Sequence, residues 1–226
     1  MDQALAQLIA AAIVFVGTHF ALSHPLRRAV LKAVGPAGFQ VVYSLTALAS
    51  SIWMVLAFRA VEPALPLWNG SSDAAWIGAT LVMLPAAVLL LGSFAGNPAL
   101  PDPRAKEIAA RGVHGVFHVT RHPMMWAFAL WSLAHVLVSP TPRVIVLAGA
   151  VAFLALVGAA LQDRKKEVLM GGSWSRWERQ TSYWPRLGGL AKAGAVPWLG
   201  GIALWLIATW AHGPLAGAPA GIWRWI

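Results

Sequence analysis

Cysteine is absent from the 226 residues, which removes disulfides, iron–sulfur clusters and thiolate metal ligands at a stroke. Carboxylates are scarce as well. Only 8 Asp and Glu stand against 17 Lys and Arg, and they fall between the apolar runs, so a pair of carboxylates sharing acid/base work is not expected. No His-Glu-x-x-His sequence is present, which argues against a zinc hydrolase. Tyrosine occurs twice. What remains as a strong donor for a transition metal is the imidazole of 7 histidines.

What is abundant is apolar sequence. The chain is 58% hydrophobic and 11% charged, with a mean hydropathy of +0.65. Long apolar runs separated by short basic loops predict an all-α integral membrane protein, a single bundle of about six transmembrane helices. The expected spans are residues 4–22, 39–58, 75–94, 123–138, 144–161 and 196–211. The basic, tryptophan-bearing stretch 162–192 reads as an interfacial amphipathic segment. In it Trp174, Trp177 and Trp184 alternate with Arg176, Arg179 and Arg186 at headgroup level. The last residues, Gly213 to Ile226, read as a trailing segment anchored by Trp223 and Trp225.

A formal charge of +9 raises the question of nucleic acid. The basic residues lie beside apolar spans and not in a readable stripe, so lipid headgroups are the expected partner and nucleic acid is not. All Lys and Arg except Arg59, Arg143 and Arg224 fall in the loops after the first, third and fifth spans. The positive-inside rule puts those loops in the cytoplasm and both termini outside it. Asp2 precedes the first span where a signal peptide carries a basic residue, so that span is expected to be retained.

Function is expected around residues 111–135, which hold four of the 7 histidines. In an α-helix His114, His118 and His122 would share one slowly drifting face. Pro123 then opens the fourth span, and His135 lies three turns further on. Titratable groups in and beside an apolar span are the natural place to seek chemistry. A histidine-only apolar site with arginine at its rim suits haem, with two imidazoles on iron and guanidinium on the propionates. His19 and His212, each taken alone, read as polar residues satisfied by a neighbouring helix or water.

Thr18-His-Phe-Ala-Leu-Ser-His-Pro-Leu-Arg-Arg, the Arg121-His-Pro motif and Leu130-Trp-Ser-Leu-Ala-His135 together resemble the NnrU family. These are bacterial integral membrane proteins associated with denitrification and nitric oxide metabolism. The pattern is also similar to that of plant 15-cis-ζ-carotene isomerase. The resemblance implies a bacterial inner-membrane protein binding haem b, with His24 and His135 as axial ligands by motif match. His122 stands in reserve, and Arg121 and Arg27 are candidates for the propionates. Components of a nitric oxide or nitrite reductase are implied partners. Ser132 stands where the isomerase has a cysteine, so a thiolate ligand change has no counterpart. The resemblance admits either a haem-dependent, isomerase-like enzyme or a non-enzymatic haem sensor or assembly factor.

Depth sets a condition on that ligand pair. His135 lies about 18 Å along a helix from Pro123, whereas His24 follows the end of the first span. A shared iron needs an outward-displaced first helix or an Arg-His-Pro corner well below the membrane plane. The alternative is a pair at the edge, such as His24 with His122. A second resemblance, to isoprenylcysteine and phospholipid methyltransferases, rests on Arg121-His-Pro-Met-Met with Asp163, Glu167, Trp177, Thr181 and Pro185. It implies S-adenosylmethionine as the cofactor.

Overall fold

The computed structural model describes residues 2–226 and is helical throughout, with no strand among the described residues. Six apolar helices form the bundle: α1 (Gln3–Ser23), α2 (Arg27–Ala60), α3 (Asp73–Gly92), α5 (Pro123–Val138), α6 (Pro142–Met170) and α8 (Ala195–Ala216). Two short helices, α4 (Ala105–Ala110) and α7 (Gly172–Gln180), lie at one end with 3-10 turns at Gly115–His118 and Leu187–Lys192. All the long helices but α5 have the length and composition to cross a bilayer. α5 has 16 residues, about 24 Å of helix, and packs between α3 and α6. The chain is a multi-pass membrane protein.

Leu45 (61% exposed), Leu81 (68%) and Leu199 (69%) lie on the outer faces of the spans, where in water they would be unfavourable and in lipid they are expected. Helices approach closely where glycine permits. A Cβ on Gly201 of α8 would meet the Val88 backbone of α3 at 2.7 Å. Helix starts follow local chemistry. The Ser72 side chain caps α3 by accepting from the Ala75 amide, and prolines open α5 and α6.

Four expectations are corrected. α2 begins at Arg27 and absorbs the basic loop, bending at Gly35 (φ 71°) beside Pro36. α6 runs on to Met170, so Gln162 to Met170 continue the helix beyond its apolar part. Trp174 and Trp177 are not headgroup anchors. Both are fully buried, and Trp177 packs edge-on to Phe117 at 5.3 Å, while Trp184 is the exposed one at 67%. Nor does the C-terminal segment trail away. Trp223 Nε1 donates to Leu206 O and Thr209 Oγ1 of α8, and the Arg224 guanidinium sits 4.5 Å over the Trp76 ring of α3.

Two cores result. One sits at the end where α3 and α6 finish, built from Val88, Leu89, Phe117, Val119, Trp174 and Trp177. The other lies among α1, α2 and α6, around Leu8, Ala11, Met54 and Ala57. The first core binds the loops into a cap over the bundle, and the candidate site lies beneath that cap.

Candidate functional site

The segment before α5 is not a helix carrying three histidines on one face. Gly112 (φ 83°) and Gly115 (φ 51°) take the left-handed backbone that glycine tolerates, and only Gly115–His118 winds into a 3-10 turn. His114 packs against Phe117 at 5.1 Å, and its Nδ1 bonds to the Gly112 carbonyl. Residues 119–121 then pair with 182–186. The Arg121 amide donates to Ser182 O, the Arg186 amide to Val119 O, and Thr120 Oγ1 to Tyr183 O at 2.7 Å. Trp126 Nε1 donates to the same Tyr183 carbonyl. These ties fix the Arg-His-Pro corner against the segment after α7.

At that corner Asp163 of α6 gathers two partners. Arg121 donates from Nε and Nη2, the shortest contact being 2.6 Å, and His122 donates from Nε2 at 2.8 Å. Glu178 of α7 lies 3.5 Å from the same Arg121 Nη2. The His122 side chain is fully buried and that of Arg121 is 13% exposed. A charged group held this deep must be paired and hydrogen-bonded, and these are. Burial first, then the Asp163 charge, holds the Glu178 carboxyl above its usual range. The same two causes raise Tyr183, whose hydroxyl donates to Leu156 O.

The loop after α3 roofs this corner. Lys166 donates to the Pro98 and Leu100 carbonyls, and Gln162 donates to Ala99 O. Beneath lies a small hollow of about 20 Å³ bordered by Leu100, Arg121, His122, Met124, Met125 and Gln162. His122 Nδ1 is buried with no hydrogen-bond partner. A carboxylate on one ring nitrogen fixes which nitrogen stays free, the arrangement used to orient a base or a ligand imidazole.

The other candidates lie elsewhere. His24 follows α1, where burial and then the Lys165 ammonium hold its imidazole below the usual range. Arg27 lies over the Phe39 ring at 5.4 Å, and its charge also reaches Lys165. Lys165 lies about 200° around the α6 axis from Asp163, so α6 stands between His24 and Arg27 on one side and Arg121 and His122 on the other.

His135 lies one turn before the end of α5, at the opposite end of the bundle. From its level on α6 to Lys165 is about 28 Å of helix. The structure therefore does not bring His24 and His135 together, and neither Arg121 nor Arg27 is near His135. The mate of His135 is His212 of α8, with ring centres 6.0 Å apart. Each ring has its Nδ1 2.8 Å from the carbonyl one turn back, Trp131 O and Ala208 O, which leaves both Nε2 atoms uncommitted. Trp131 packs against His135 at 4.1 Å. Ser132, at the isomerase cysteine position, is buried and donates to Phe128 O. Among the described residues no three histidine or carboxylate side chains gather around a common ion position.

Two signals were missed in the sequence. Asp163 enters the sequence reading only through the methyltransferase resemblance, yet it lies on α6 and organises the corner. His212 looked isolated because 77 positions separate it from His135. The sixth span was also expected to end at residue 211, before His212, whereas α8 runs on to Ala216 and carries it.

Fold and site define the class as a polytopic helical membrane protein with a buried Arg-His-Asp cluster at one end and a histidine pair at the other. The family described as NnrU protein matches residues 7–220, and the chain belongs to that family. Comparison with curated proteins and with solved structures gives no match.

Proposed function

We propose that the chain is a haem b-binding membrane protein whose iron is held by His135 and His212. The observation that carries this reading is the pair of imidazoles, each tied through Nδ1 to its own helix and each keeping Nε2 free. The two rings, on different helices, have their centres 6.0 Å apart. α5 and α8 both pack on α3. The donor set of two neutral imidazoles in an apolar, cysteine-free setting fits haem iron.

A haem bound here would supply one-electron chemistry. His135 and His212 would hold the group, Trp131 covers one face of His135, and the helix carbonyls fix both ring orientations. A link to nitric oxide or nitrite metabolism, with the matching reductases as partners, follows family expectation, as does an inner-membrane location, while the distribution of Lys and Arg favours both termini outside the cytoplasm. A haem-dependent isomerase and a haem sensor share this site. Conversion of a cis-polyene by the purified protein separates the first from the second.

The test is the absorption spectrum of the protein purified from membranes. A Soret band that shifts on reduction is expected. His135→Ala and His212→Ala should each lose haem or turn a low-spin spectrum high-spin, and His24→Ala should leave it unchanged. A colourless protein that takes up no added haem ends this reading.

A second reading, methyl transfer from S-adenosylmethionine, draws on the convergence of Arg121-His-Pro with Asp163 and on a hollow of about 570 Å³. That hollow is bordered by His118, Thr181, Arg186 and Lys192 and is large enough for such a cofactor. Saturable S-adenosylmethionine binding without a Soret band selects it.

A further inference from the structure

The start of α5 leaves donors with nothing to bond. Its N-cap residue, His122, makes no side-chain cap, Pro123 brings no N–H, and the Met124 and Met125 amides take no backbone acceptor. Such an end is ordinarily met by water or a capping oxygen, and here His122 and Pro123 are buried. Three further observations converge on the place. His122 Nδ1 is an orphan in a side chain with no exposed surface. Arg121 spends Nε and Nη2 on Asp163 and leaves Nη1 free. The small hollow lies among Arg121, His122, Met124 and Met125.

We propose that this hollow binds a small oxyanion, either a free one or the carboxylate head of an apolar-tailed amphiphile, with His122 Nδ1, Arg121 and the first amides of α5 as its donors. The positive end of the α5 dipole and the guanidinium both disfavour a cation there and favour negative charge. His122 meets Asp163 through Nε2, so a ring carrying both protons donates from Nδ1 into the hollow. About 20 Å³ admits one water-sized group, such as a carboxylate oxygen. Met124 and Met125 are half-buried at the lipid boundary, which gives an apolar tail a way out. The roof from Pro98 to Leu100, strapped to α6 by Gln162 and Lys166, closes the other side. The site lies at the opposite end of the bundle from His135 and His212, and its fate is independent of haem.

The test uses the full chain in lipid nanodiscs with ring-15N histidine, titrated with formate, with dodecanoate and with dodecanol. Formate and dodecanoate should each shift one histidine signal, the one lost in His122→Phe, while dodecanol should not. Equal affinity for the two carboxylates identifies a free small oxyanion. Tighter dodecanoate binding identifies a membrane amphiphile. Met125→Phe fills the hollow without touching His122 and should weaken binding about tenfold or more, so the outcome stands even if His122→Phe does not fold. No shift with either carboxylate, equal binding of dodecanol, or undiminished binding by Met125→Phe overturns the proposal and leaves a water in the hollow.

Discussion

The two ends of the bundle solve the problem of polar groups in an apolar protein in opposite ways. At the capped end Arg121, His122, Asp163 and Glu178 lock one another in place, and loops strapped by Lys166 and Gln162 cover them. At the other end His135 and His212 are two imidazoles whose only ties are to their own helices. The first arrangement ties its charged groups to one another and builds rigidity, while His122 Nδ1 and Arg121 Nη1 are left over. The second leaves nitrogens uncommitted and invites a ligand. Buried charge needs partners to exist at all, whereas neutral imidazole can wait for one.

The largest effect that would sharpen this contrast is at Asp163. Asp163→Ala strands Arg121 and His122 beneath the cap, and breaking such a pair costs about 3–5 kcal/mol. The variant should unfold in detergent at markedly lower temperature than the parent, as read by circular dichroism. Compared as haem-free proteins, His135→Ala with His212→Ala should leave that temperature within a few degrees of the parent. If the double variant is the less stable one, the division of labour between the ends is wrong.

Next in size is Gly189→Val. A Cβ there meets the His118 carbonyl, so the cap must shift, at about 1–3 kcal/mol. Faster tryptic cleavage after Arg186 and Lys192 would report it. Smaller again is Lys166→Met, which frees the Pro98 and Leu100 carbonyls. Hydrogen exchange of residues 97–104 should quicken while α8 stays protected.

The smallest expected effect is a pH dependence confined to the capped end. Glu178 has its protonation range raised by burial and then by Asp163. The stability it contributes is therefore complete below the ordinary glutamate range and is lost as pH climbs through the raised one. Glu178→Gln should flatten that slope in a melting-temperature series, and an unchanged slope would place its origin elsewhere.

Much of the fold was legible in the sequence, because a membrane demands long apolar helices and leaves few alternatives. The start of α5 at Pro123 and its end at Val138 were read directly, since proline and the following Ser-Pro-Thr-Pro mark both. The cap was not legible. Trp174 and Trp177 look the same in sequence whether they meet headgroups or a protein core, and burial depends on where Phe117 arrives. Gly112 and Gly115 break a helical spacing that the histidines alone suggested. The pairings Asp163–His122 and His135–His212 join distant segments, and only the stacking of α5 on α6 and of α5 and α8 on α3 creates them.

The brevity of α5 reaches beyond the protein itself. A helix of about 24 Å, shorter than the ~30 Å hydrocarbon layer, leaves its flank unable to meet both leaflets at full depth. A short span is accommodated by local thinning of the lipid, which would fall beside the helix that follows His122 and carries His135. Lipid tail length would then set how large that mismatch is along α5.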